Sequence, residues 1–156
     1  MHDTALLEQL TDDIGIARQL LELIDLEFVA LGDRELADLE AILARKQPLL
    51  ALLGQHGTQR SQWLIGQQFS PDRAGLEAAA SKSKSGAAIL EQAQVLEAEL
   101  EHCRTANERN GRLIRANQSS LGSMLHILQG KDETPGLYDN RGGAAKAKRQ
   151  RPLSQA

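Results

Sequence analysis

The sequence predicts an all-α protein: an elongated antiparallel helical bundle or coiled coil, in which a helical hairpin packs on one long C-terminal helix and a flexible tail follows. Two observations carry this. Apolar residues recur at alternating steps of three and four along the first segment and again along the last. The apolar content is Leu, Ala, Ile and Val with few alternating β-branched runs, and only four residues are aromatic, Phe28, Trp63, Phe69 and Tyr138. At 156 residues the chain has room for one domain with a real core, whereas two would each be marginal.

In the first segment Leu7, Leu10, Ile14, Ala17, Leu21, Ile24, Phe28 and Leu31 form one seam. Glu8, Asp12, Asp13, Arg18, Glu22 and Asp25 lie off it. Gly32 is expected to close this helix in the left-handed conformation and Asp33 to cap the next, giving a tight hairpin. The second helix aligns Leu36, Leu39, Ile42, Leu43, Leu49, Leu50 and Leu53, with a kink or break expected near Lys46 because Pro48 removes a donor. Beyond it, Gly54, Gly57 and Gly66 weaken the pattern, and Trp63, Leu64, Ile65 and Phe69 either continue the helix or fold over a bundle end. Ser70 as cap and Pro71 at the first helical position start a short helix, and "SKSKSG" follows as a linker. From Ala87 to about Gln129 no proline occurs, so one helix of roughly 65 Å fits the standard rise. The expected organisation is a bundle over residues 1–130, with helices over about 3–31, 33–53, 71–80 and 87–129, and a glycine-rich basic tail over 131–156.

In heptads the last helix reads Leu100, Cys103, Asn107, Asn110, Ile114, Asn117, Leu121, Met124 and Leu128. Three asparagines so close together in a dry seam would leave several amides needing partners, so this section either pairs them, is wet, or waits for a partner. The competing register places Ala106, Leu113, Ala116 and Ser120 inward and the asparagines at the edge, because a 3.6-residue helix drifts against a strict heptad. After Asn117, Leu121, Met124, Leu125, Ile127 and Leu128 cover more than one face, which suits bundle core or a docking surface for another helix.

The formal net charge is -3. Residues 141–156 carry five basic residues and no acid, leaving 13 basic against 21 acidic, a net of -8, for residues 1–140. An acidic body disfavours nucleic acid, and the terminal "KAKRQR" lacks an interleaved aromatic, so a solvated tail outweighs a phosphate-binding arm. No apolar run is long enough to span a bilayer and no signal peptide is evident, so no membrane insertion is expected and the reading is cytoplasmic. Cys103 is the only cysteine, so an intrachain disulfide is excluded.

No catalytic residue and no cofactor are expected. Glu99 and His102 share the Glu-x-x-His spacing of di-iron bundles, but no second pair exists, and His2, His56 and His126 stand apart, so no metal site is assigned. Cys103 beside His102 fails as a nucleophile–base pair because consecutive helical side chains diverge by about 100°.

Three stretches, "LGDRELADLEAILARKQPLL", "NERNGRLIRANQ" and "GLYDNRG", together resemble the FlgN family of flagellar type III export chaperones. The matching positions are Gly32, Asp33, Lys46, Asn107, Asn110, Leu113 and Ile114, with Leu137, Tyr138 and Gly142 in the tail. Pro48 and the basic end depart from the pattern. The resemblance implies a chaperone that binds the C-terminal helical segments of the hook-filament junction proteins FlgK and FlgL, prevents premature assembly and delivers them to the export gate.

Cargo would be held by Asn107, Asn110, Ile114, Asn117, Leu121, Leu125 and Leu128 as a helix in a groove. Leu137 and Tyr138 would either anchor to the export-gate protein FlhA or fold back to cap the bundle. The competing class is a coiled-coil adaptor or oligomerisation module, with the surplus apolar surface buried in a homodimer.

Overall fold

The computed structural model describes residues 1–130, apart from the side chains of Leu121, Leu128, Gln129 and Gly130. These form four α-helices and no strand among the described residues: α1 (Asp3–Asp33), α2 (Leu36–Gly66), α3 (Arg73–Ala80) and α4 (Gly86–Gly130). The chain divides into two compact units, Met1–Ile114 and Arg115–Ala156.

In the first unit α1 is the central helix. One side gives Leu6, Leu10, Ile14 and Ala17 to a cluster with Ile89 and Leu96 of α4, which Trp63 and Leu76 close. A second cluster joins Ile16, Leu20 and Ile24 to Cys103 and Ala106, with Leu49 and Leu53 against it. A third joins Leu23 and Ala30 to Ile42 of α2. Two flanking helices bury a wider face of α1 than one seam allows. Leu10, Ile14, Ala17 and Ile24 of the expected seam are buried, Leu7, Leu21 and Leu31 half-buried, and Phe28 exposed. Each leucine removed from water in this way contributes about 1.5–3 kcal/mol before entropy is counted.

The turn between α1 and α2 differs from the sequence expectation. Gly32 and Asp33 are still helical, and Arg34 takes the left-handed conformation at φ 58°. The amides of Arg34 and Glu35 return to the carbonyls of Leu31 and Ala30, and α2 starts after Glu35 with no side-chain cap. These bonds satisfy the α1 end from outside, so the turn does not need the glycine.

The second helix does not stop at Leu53: α2 is one helix through Pro48 to Gly66. Glycine costs about 1 kcal/mol in a helix interior. Buried Leu64, half-buried Trp63 and the pairing of His56 and Arg60 with α1 offset that cost. The cap of α3 is Asp72, not Ser70. Its carboxylate accepts the Gly75 amide at 2.9 Å, while the Ser70 hydroxyl donates to the same oxygen at 2.6 Å.

Candidate functional site

The polar residues that the heptad placed in the α4 seam have different fates. Asn110 is only 1 % exposed. Its Nδ2 donates to the Ile24 carbonyl at 2.8 Å and to Glu27 Oε1 at 2.9 Å, while its Oδ1 accepts from Arg109 Nε and Nη2. Glu27 Oε2 accepts from Lys46 Nζ of α2 at 3.1 Å. Arg109 also pairs with Asp25 at 2.9 Å and lies 4.1 Å from the Phe28 ring centroid. Lys46 and Asn110, two positions of the family resemblance, therefore meet at Glu27 and tie α1, α2 and α4 together. Asn110 uses its amide within the chain.

Asn107 is exposed, Asn117 half-buried, and Ile114 exposed. Cys103, Ala106, Asn110 and half-buried Leu113 thus mark the inward line. It keeps Cys103 and Asn110 of the strict heptad and takes Ala106 and Leu113 of the rotated register, because the helix drifts between the two. Cys103 Sγ donates to the Ala17 carbonyl at 3.3 Å, and burial pushes its thiol pKa up. It is a small seam residue shielded from solvent.

In the second unit the described part is the end of α4. Met124, Leu125 and Ile127 are exposed there, Leu125 by 50 % and Ile127 by 66 %. Such side chains gathered within about one turn of the helix form an apolar patch rather than isolated exceptions. Leu121 and Leu128 fall seven and fourteen residues after Ile114, on the same heptad line. Leu137 and Tyr138 lie outside the described residues.

Sequence reasoning missed a second polar centre. Asp13 is fully buried, with Oδ1 2.5 Å from His56 Nδ1 and Oδ2 2.6 Å from Arg60 Nη1. A carboxylate only accepts, so Nδ1 carries the hydrogen. Arg60 also donates to Gln9 Oε1 at 2.9 Å, and Gln9 donates to Gln59 at 2.8 Å. The signal was present in α2: Leu49, Leu53, His56, Arg60 and Leu64 continue one stripe, and an arginine with a histidine one turn before it on an inward-facing stripe calls for an acid opposite.

His102 is mostly exposed, and Glu99 faces it at 3.6 Å while accepting Arg18 Nε at 2.9 Å. The Arg18 guanidinium holds the Glu99 carboxyl below its usual range. This is a surface ion pair, and among the described residues no three His, Cys, Asp or Glu side chains gather to hold a metal ion. No helix among them is long and apolar enough to cross a membrane.

The fold defines the class: an all-α helical bundle whose buried polar groups fasten its helices and whose last helix keeps apolar side chains exposed. Its family is specific: the model described as FlgN protein matches residues 1–146, and the chain belongs to the FlgN family, a chaperone family of flagellum biogenesis. A solved structure described as a flagella synthesis protein FlgN from Pseudomonas aeruginosa is 44% identical. It covers 82% of this chain and 98% of its own, with a TM-score of 0.68. A comparison with curated protein sequences gave no match.

Proposed function

We propose that this chain is a cytoplasmic flagellar export chaperone that binds the C-terminal helical segments of FlgK and FlgL, keeps them from assembling early and passes them to the export gate. The family match across residues 1–146 carries the reading. The exposed apolar side chains of α4 support its mechanism. An amphipathic cargo helix lays its apolar stripe along Ile114, Leu125 and the Leu121 and Leu128 positions, flanked by Asn107 and Asn117. Asn110 acts in this scheme by fixing α4 to α1. Ordering a mobile cargo segment at this surface holds it in a state that cannot assemble. Leu137 and Tyr138 serve as the anchor for FlhA.

Titrating the purified chain with a C-terminal FlgK or FlgL peptide tests the cargo. Binding by the natural chain, lost in Leu125→Asp and Ile114→Asp at unchanged thermal stability, is the expected result. Full-strength binding by both variants overturns the site, and no binding by the natural chain overturns the cargo. Tyr138→Ala separates delivery, since it should leave peptide binding intact and abolish association with FlhA.

Exposure of Met124, Leu125 and Ile127 also suits a coiled-coil adaptor that buries this surface between identical chains. Sedimentation decides: a monomer mass independent of concentration, shifted by the cargo peptide, excludes the adaptor.

A further inference from the structure

The first unit has a second surface that the cargo reading does not use. On the outer side of the α1–α2 hairpin, next to its turn, a recess of about 290 Å³ is lined by Leu26, Val29, Ala30, Ala41 and Ile42. Leu26 is 50 % and Val29 57 % exposed, so the recess opens onto apolar surface that no described element covers. Its rim is Asp33, Glu35, Asp38 and Arg45. Glu22 precedes Leu26 on the same stripe of α1, at positions 22, 26, 29 and 33. The carboxylates of Asp13, Asp25, Glu27 and Glu99 all have basic partners. Those of Asp33, Glu35 and Asp38 have none among the described residues. The last turn of α1 holds no basic residue, Arg34 following just beyond it, while Glu35 and Asp38 stand at the start of α2, whose positive dipole end offsets the negative end of α1.

We propose that this recess is a docking surface for a basic amphipathic helix of a partner protein. The apolar floor takes a stripe of aliphatic side chains, and the three unpaired carboxylates take the lysines or arginines that flank it. A recess with polar groups only at its edge fixes a helix by shape and charge rather than by buried hydrogen bonds. The surface lies on α1 and α2, so it stands whether or not α4 holds the proposed cargo.

The test uses the full chain and two labelled synthetic helical peptides, one with a leucine stripe flanked by lysines and one with the same stripe flanked by glutamates. Fluorescence anisotropy should show binding of the lysine peptide only, weakening as salt rises. Neutralising the rim with Asp33→Asn, Glu35→Gln and Asp38→Asn together should weaken it by about tenfold or more. Val29→Asp should abolish it, while Leu125→Asp leaves it unchanged. Binding by the neutralised-rim and Val29→Asp variants as tight as by the natural chain overturns the proposal, because the peptide then binds the acidic body at large. Two other occupants are separated in the same series. A self-associating chain that Val29→Asp turns into a monomer assigns the recess to a second copy. Tighter peptide binding after Lys146→Gln, Lys148→Gln and Arg149→Gln assigns it to the chain's own basic segment. Either result overturns the partner assignment.

Discussion

Replacing Asn110 by alanine tests whether a buried seam asparagine fastens the bundle. The side chain is 1 % exposed, so whatever it leaves behind is left without water. Its loss removes a neutral bond to the Ile24 carbonyl at 2.8 Å, about 1 kcal/mol, and a charge-assisted bond to Glu27 at 2.9 Å, about 2 kcal/mol. The bonds from Arg109 count for less, because that guanidinium is a third exposed and keeps Asp25, so under about 1 kcal/mol is assigned to them. The expected cost is about 3 kcal/mol, a large part of the roughly 5–15 kcal/mol that holds a domain together. With a urea dependence of about 1–3 kcal/mol per molar, the midpoint should fall by about 1–3 M at unchanged slope. Asn107→Ala, three residues away on an exposed position, should stay within about 0.5 kcal/mol of the natural chain. Equal costs for the two, or a larger one for Asn107, would refute the reasoning.

Three further outcomes are expected. Gly75→Ala places a Cβ 1.7 Å from the Ser70 carbonyl oxygen, so α3 should detach or shift, seen as loss of amide protection over residues 73–80; unchanged protection would show that the capping turn yields freely. Cys103, buried and with its pKa raised, should react with a thiol reagent only as fast as the protein unfolds, and stoichiometric labelling of the native state within seconds would contradict its placement. The Asp72 carboxyl is held below its ordinary range first by the Ser70 hydroxyl and then by the Gly75 amide. The cap is therefore complete above the unfolded value of about 4 and is lost as pH falls through the lower folded value. Amide exchange in α3 should accelerate in that window ahead of α1, and uniform acceleration would exclude the cap as the cause.

Much of the fold is legible in the sequence because three-and-four spacing reports a helix directly. The spacing of Leu10, Ile14, Ala17 and Ile24 gives α1, and the proline-free run after Gly86 gives α4. What periodicity cannot report is how many neighbours a helix has. Leu6, Leu20 and Leu23 fall outside a single seam, yet all are buried, because α2 and α4 flank α1. Helix ends are misread where glycine is taken at face value: Gly32 lies inside α1 and Gly54 and Gly57 inside α2, since their neighbours bury enough surface to offset the lost propensity. For the candidate site, the apolar excess after Asn117 is visible in the sequence. The separation of Asn107, facing solvent, from Asn110, facing Glu27, depends on a rotation of one residue that a heptad does not resolve.

The Asp13, His56 and Arg60 centre bears on how the hairpin finds its alignment. Leucines repeated every three or four residues match almost as well when one helix slides past the other by seven, so apolar packing alone leaves several near-equal positions. Seven residues before Asp13 stands Leu6 and seven after it stands Leu20. A slide in either direction sets Arg60 against a leucine and strands its charge, at a cost of about 3–5 kcal/mol for a buried pair broken on one side. The three residues thus work like the notch on a sliding scale: the leucines supply the grip, and one carboxylate decides where the two helices stop.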